Sequence, residues 1–106
     1  MANGTIAYKG GYKYQLVESY EVTVAIKPPE DIETDYIALG NSGHLVLKKG
    51  YAWDGPSGPT IDTLNFMRGS LVHDALYQLM RMNLLSHELH RKTADQELKQ
   101  IGRAHV

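Results

Sequence analysis

The run Ser70–Leu85 contains neither glycine nor proline, and Leu71, Val72, Ala75, Leu76 and Leu79 within it form an apolar stripe of helical period. A helix with so continuous an apolar face has to be covered by the remainder of the chain. The same run carries His73-Asp74-Ala75-Leu76-Tyr77. His73 and Tyr77 are four apart and share one helical face, while Asp74 points about 100° round the axis. Downstream, Thr93-Ala94-Asp95-Gln96-Glu97-Leu98 lies in a second helical pattern, and Asp95 falls where a partner for His73 would stand. The spacing suggests His73 as a general base, Asp95 orienting its ring from the second helix, and Asp74 holding a cation beside them.

Ahead of this run the period changes from helix to strand. Short strands are expected at Thr5–Tyr8 and Tyr12–Val17, with Gly10-Gly11 between them. Tyr20–Ile26 alternates more regularly, with Tyr20, Val22, Val24 and Ile26 on one face, and Pro28-Pro29 stops it. Asp35–Leu39 and His44–Leu47 flank Gly40-Asn41-Ser42-Gly43, residues that tolerate the positive φ of a turn. Lys48–Tyr51 then leads into the Gly/Pro loop at 52–60, which contains Asp54, Gly55, Pro56, Gly58 and Pro59. Asp62-Thr63 is placed to cap a first helix over Leu64–Met82, Asn83-Leu84-Leu85 to end it, and Ser86 to cap a second from His87 to Ala104. Gly69 inside the first helix costs about 1 kcal/mol against Ala and suggests close backbone approach or a bend.

The expected architecture is α+β. A small antiparallel β-sheet of roughly four to five strands in the N-terminal half packs against a C-terminal two-helix antiparallel hairpin. With 106 residues the chain is expected to be a single domain, 1–106, β-rich over 1–62 and helical over 63–106.

Composition excludes several classes of function. The chain has no cysteine, so disulfides, thiolate metal sites and cysteine nucleophiles are ruled out. A net charge of −1 gives no electrostatic footprint for nucleic acid. No apolar run approaches the ~20 residues of a transmembrane segment, and Met1–Thr5 lacks the basic start and apolar core of a signal peptide.

Trp53-Asp54-Gly55-Pro56-Ser57-Gly58-Pro59-Thr60-Ile61, His73-Asp74-x-x-Tyr77 and Arg91-Lys92-Thr93-Ala94-Asp95 together resemble a family of small phage and prophage proteins of unknown function (DUF1353), over residues 45 to 100. More distantly, HDxxY on one helix and Asp on its antiparallel partner resemble the secreted and viral phospholipases A2. In those enzymes a glycine-rich loop ahead of the HD helix offers backbone carbonyls to calcium. That resemblance implies a phage-encoded, calcium-dependent ester hydrolase acting on a lipid or lipid-like substrate. His73 would activate water, and Asp95, steadied by Tyr77, would orient His73. Ca2+ would be held by Asp74, by Asp54 and by carbonyls of Gly55 and Gly58, a hard-oxygen set suited to that ion. The loop departs from the glycine-rich consensus through Pro56, Ser57 and Pro59. The phage resemblance further implies synthesis in the host cytoplasm, incorporation into the virion, and phage structural proteins as partners.

A plainer alternative stands beside each role. His73, Tyr77 and Asp95 serve equally as a buried hydrogen-bonded lock that sets helix register in a non-enzymatic virion or tail-associated component. Asp54 is a common turn residue. Trp53 and Tyr51 suit core or pocket lining, or contact with a bilayer interface. His87 and His90 have the i, i+3 spacing of a zinc pair but no further ligands, which favours helix surface, and His44 is expected on an exposed strand. Arg91 and Asp95, at i, i+4, are spaced for an ion pair. A helical HD phosphohydrolase would need a larger all-helical scaffold than this strand-rich first half provides.

Overall fold

A computed structural model describes residues 6–9, 14–54 and 64–102; for Tyr8, residues 64–66 and residues 99–102 it describes only the backbone. The chain groups into two compact units, residues 1–53 and residues 54–106. The first holds the strands β1 (Tyr8–Lys9), β2 (Tyr14–Leu16), β3 (Tyr20–Thr23), β4 (Ile32–Glu33), β5 (Ile37–Leu39), β6 (His44–Leu47) and β7 (Ala52–Trp53). The second holds α1 (Leu64–Arg81) and α2 (His87–Gly102). The expected α+β class is the one observed.

In place of one sheet of four to five strands there are two antiparallel sheets, ordered β1-β2-β7 and β3-β6-β5-β4. β2 and β3 do not form a hairpin. Instead β2 pairs with β7, Tyr14 opposite Trp53, while β3 pairs with β6, Tyr20 opposite Leu47. β4 and β7 were not expected from the sequence. Each is two residues long, too short for alternation to register.

The turn Lys48–Tyr51 is where the chain leaves one sheet for the other. The Tyr51 amide donates to the Lys48 carbonyl at 3.0 Å, and Gly50 sits at φ 96°. Gly50 N–H then donates to the Leu16 carbonyl, and Leu16 N–H to the Tyr51 carbonyl, both at 2.9 Å, which ties the turn to β2. The expected turn at Gly40–Gly43 is present, closed by Gly43 N–H on the Gly40 carbonyl at 2.9 Å. Gly43, at φ 92°, could carry no side chain, since a Cβ there would lie 2.4 Å from the Val24 carbonyl oxygen.

The buried faces of these strands supply Leu16, Tyr20, Ile37, Leu39, Leu45, Leu47 and Trp53. Tyr51 and Trp53 are core residues, 4% and 2% exposed, with Trp53 set 5.7 Å from the Tyr14 ring. His44 is an exposed strand residue, as expected, and bonds Glu21 across the β3–β6 pair at 2.9 Å.

α1 ends as the sequence indicates. Asn83 adopts φ 61°, its N–H donates to the Met80 carbonyl, and Leu84 N–H reaches back to Leu79, each at 3.0 Å. This pair of bonds is a Schellman closure, with Asn where glycine more often stands. Ser86 caps α2, its Oγ accepting from Leu89 N–H at 3.2 Å. The Asp62-Thr63 cap, the Gly10-Gly11 link and most of the Gly/Pro loop lie outside the described residues. No described helix is long and apolar enough to cross a membrane.

Candidate functional site

Two closures bring α1 and α2 into an antiparallel pair: the Asn83 turn, which reverses the chain, and the Ser86 cap, which restarts it. The packed side of α1 is Met67, Leu71, Val72, Ala75, Leu76, Leu79 and Met80, and α2 meets it with Ala94, fully buried. Its neighbour Asp95 is part-exposed and meets the face of α1 that presents His73 and Tyr77.

There the three side chains meet. His73 Nε2 lies 2.9 Å from Asp95 Oδ1, and the Tyr77 hydroxyl donates to the same oxygen at 2.8 Å. The two rings stack tilted, with centroids 4.4 Å apart. Hydrogen bonds from His73 and Tyr77 hold the Asp95 carboxyl below the usual carboxylate range. Asp95 is therefore an ionised acceptor, and the proton in the 2.9 Å bond belongs to His73 Nε2. In the neutral ring this tautomer leaves the lone pair on Nδ1. Nδ1 stands 3.9 Å from Asp74 Oδ1, beyond hydrogen-bond range, so Asp74 does not consume it.

The trio is part-buried. The side chain of His73 is 23% exposed and that of Asp95 50%. Tyr77 is half-buried; burial first, and its bond to Asp95 second, push its hydroxyl pKa up. The Arg91–Asp95 ion pair allowed by spacing does not form. Among the described residues no ion pair to Arg91 lies within 4 Å, although its charge is felt at both Asp95 and Tyr77.

Asp74 has a different environment. Burial pushes its carboxyl up from the ordinary value, and the nearby Asp54 charge adds to this. The backbone N–H of Asp54, the His73 ring and Arg81 pull the other way. The backbone role of Asp54 and the approach of Arg81 were not foreseen, although Arg81 stands seven residues from Asp74, on the same helical face. Two neighbouring carboxylates, one of them disfavoured as an anion, are hard oxygen donors of the kind calcium takes. They are an incomplete set. Among the described residues no group of three or more His, Asp or Glu is placed to hold a metal, and the expected Gly55 and Gly58 carbonyls lie outside the described residues.

His87 is exposed and sets its ring edge-on to Tyr77 at 6.2 Å, extending the aromatic column from His73 toward the turn between the helices. It is surface and aromatic contact, with no zinc cluster around it among the described residues.

The chain matches no protein-family model, and no curated protein or solved structure matches it either.

Proposed function

We propose that this chain is a phage-encoded hydrolase of the phospholipase A2 type, acting on an ester of a lipid or lipid-like substrate. The observation that carries the proposal is the state of His73. Its Nε2–H is committed to an ionised Asp95, and among the described residues nothing bonds its Nδ1, which belongs to a partly exposed ring. A ring held this way accepts a proton from water at Nδ1, while Asp95 stabilises the imidazolium that results. Tyr77 holds the Asp95 oxygen from the second side and so fixes the plane in which the ring lies.

Asp74, Asp54 and carbonyls of Gly55 and Gly58 are the groups proposed to hold calcium. When bound there, the ion would polarise the ester carbonyl and neutralise the developing oxyanion. A lytic or entry role, synthesis in the host cytoplasm and association with virion proteins belong to the same proposal through the phage resemblance.

The test combines two variants. Millimolar calcium is expected to raise the melting temperature of the wild type and to have no effect on Asp74→Asn. His73→Ala is expected to remain folded while losing ester hydrolysis by about 100-fold or more. If calcium alters neither the melting temperature nor the fluorescence of Trp53, the metal-assisted hydrolase is untenable.

One observation favours a second function, a non-enzymatic phage structural component. Among the described side chains of α2 only Ala94 and Glu97 are buried, so polar bonds to α1 carry an unusual share of its placement. On that basis His73→Ala would cost more than the ~1 kcal/mol of a part-exposed bond, because α2 loses its placement with it. The hydrolase predicts a loss nearer ~1 kcal/mol, because the bond is part-exposed.

A further inference from the structure

We propose that His87 is a positioning residue for the site: it braces the Tyr77 ring and, through that ring, keeps Asp95 Oδ1 aimed at His73. The role rests on the hydrolase reading for the chemistry it serves, and extends it to a residue outside the trio. His87 is the first residue of α2, directly after the Ser86 cap. The bond from Leu89 N–H to Ser86 Oγ therefore fixes the backbone from which its ring projects. The His87 and Tyr77 rings stand 6.2 Å apart at 89°, an edge-to-face pair within the separation that aromatic rings prefer.

Tyr77 thus has aromatic neighbours of two orientations. The His73 ring lies against it at 4.4 Å and 35°, while His87 stands almost perpendicular to it. A tilted stack opposes sliding of the phenol only weakly, since offset arrangements of two rings differ little in energy. A second ring set across the first contact opposes that displacement. The need for a brace comes from Asp95, whose side chain is 50% exposed. Both of its donors, His73 Nε2–H at 2.9 Å and the Tyr77 hydroxyl at 2.8 Å, share the single oxygen Oδ1. A phenol that shifts leaves Oδ1 to water on one side, and the carboxylate is then free to turn from the ring it orients. His87 and Asp95 lie about two turns apart on α2. The helix therefore holds Tyr77 at two points, by its ring and by its hydroxyl.

The experiment is an NMR titration of the Asp95 carboxyl carbon in the full chain, beside hydrolysis of dihexanoylphosphatidylcholine in millimolar calcium. In His87→Ala the Asp95 midpoint is expected to rise toward the ordinary carboxylate value, because one of the donors that hold it down is loosened. The value of kcat should fall by about two- to tenfold, the range that one aromatic pair supplies, with KM unchanged. The melting temperature should change little, since His87 is exposed. His87→Phe keeps a ring and carries no charge, so its restoration of both readouts would come from the ring contact. In Tyr77→Phe there is no hydroxyl to position, and adding His87→Ala should change neither readout further. An Asp95 midpoint unmoved by His87→Ala, a defect that His87→Phe fails to restore, or an equal further loss on top of Tyr77→Phe would overturn the role. Each would return His87 to plain helix surface. The carboxyl titration requires no turnover: a wild type that hydrolyses no ester removes the proposed function, while the Asp95 midpoint still decides whether His87 positions it.

Discussion

Helices α1 and α2 are nearly equal in length, 18 and 16 residues, and lie against one another, yet different chemistry fixes each. On α1 the anchoring groups are Met67, Leu71, Val72, Ala75, Leu76, Leu79 and Met80, all at or below 4% exposure. The described part of α2 buries Ala94 and Glu97, while Leu89 points outward and Asp95 is half exposed. Hydrocarbon burial is strong and indifferent to direction, whereas a hydrogen bond is weaker in net terms but fixes which atom faces which. α1 is thereby a rigid support, and α2 a positioned carrier of Asp95. Such a division suits a site in which one ring nitrogen must be held and the other left open.

The contrast can be broken most directly on α1. Leu76→Ala is expected to destabilise the protein by about 2–5 kcal/mol, read from the urea midpoint, because a fully buried Leu leaves a cavity. A loss below ~1 kcal/mol there would mean that α1 is not the anchor.

At the contact itself, Ala94→Leu is expected to cost about 1–3 kcal/mol by overpacking. It should also push Asp95 away from His73, so that the proposed hydrolysis falls by more than the stability change explains. An unchanged rate in a still-folded variant would separate the position of α2 from the chemistry.

Asp95→Asn sharpens the comparison on the polar side. The expected loss is about 1 kcal/mol or less at neutral pH, since the bond is part-exposed. The sign with pH follows from the folded carboxyl titrating below its unfolded value. Its stabilisation is complete above the unfolded value and disappears as pH falls through the folded one, that is, below about pH 4. Wild type should therefore lose its advantage over Asp95→Asn in that acid range, as thermal melts at several pH values would show. A stability difference that does not shrink as pH falls through that acid range would contradict the assignment of Asp95 as an ionised acceptor.

The smallest effect is expected at Asp74, with the opposite sign. Its folded carboxyl titrates above its unfolded value, mainly through burial. The ion is thus a cost at neutral pH, relieved as pH falls through the folded value. In the absence of calcium, Asp74→Asn should stabilise by under about 1 kcal/mol. Destabilisation instead would show that the Asp54 amide and Arg81 outweigh burial.

Much of this molecule is legible in residue order, for identifiable reasons. The pairs His73/Tyr77 at i, i+4 and Leu71/Ala75 with Leu76/Leu79 repeat over several turns, so the period and bounds of α1 are clear to within a residue at its C-terminus. The Gly40–Gly43 turn is local, and Asn83 and Ser86 act through their own backbone neighbours. β4 and β7 are not legible, because a two-residue strand exists only through its partner. The split into two sheets depends on Gly50 bending the chain so that Trp53 comes opposite Tyr14, a pairing across 39 positions that no local pattern encodes. At the site, spacing brings His73, Tyr77 and Asp95 together in prospect, yet it equally offers Arg91 to Asp95.

By itself, then, the order of residues determined what depends on near neighbours: the α+β class, the helix pair with its closure at Asn83 and cap at Ser86, and the candidates His73, Asp74, Tyr77 and Asp95. Tertiary structure decided which of several allowed partners won. It directed Asp95 Oδ1 to His73 and Tyr77 and away from Arg91, set His73 Nδ1 out of hydrogen-bond range of Asp74, placed the Asp54 amide on Asp74 and turned Leu89 outward. The physical reason is reach. Helical period and capping act over one turn of chain, whereas hydrogen-bond choice and exposure depend on distances set by the packing of whole elements.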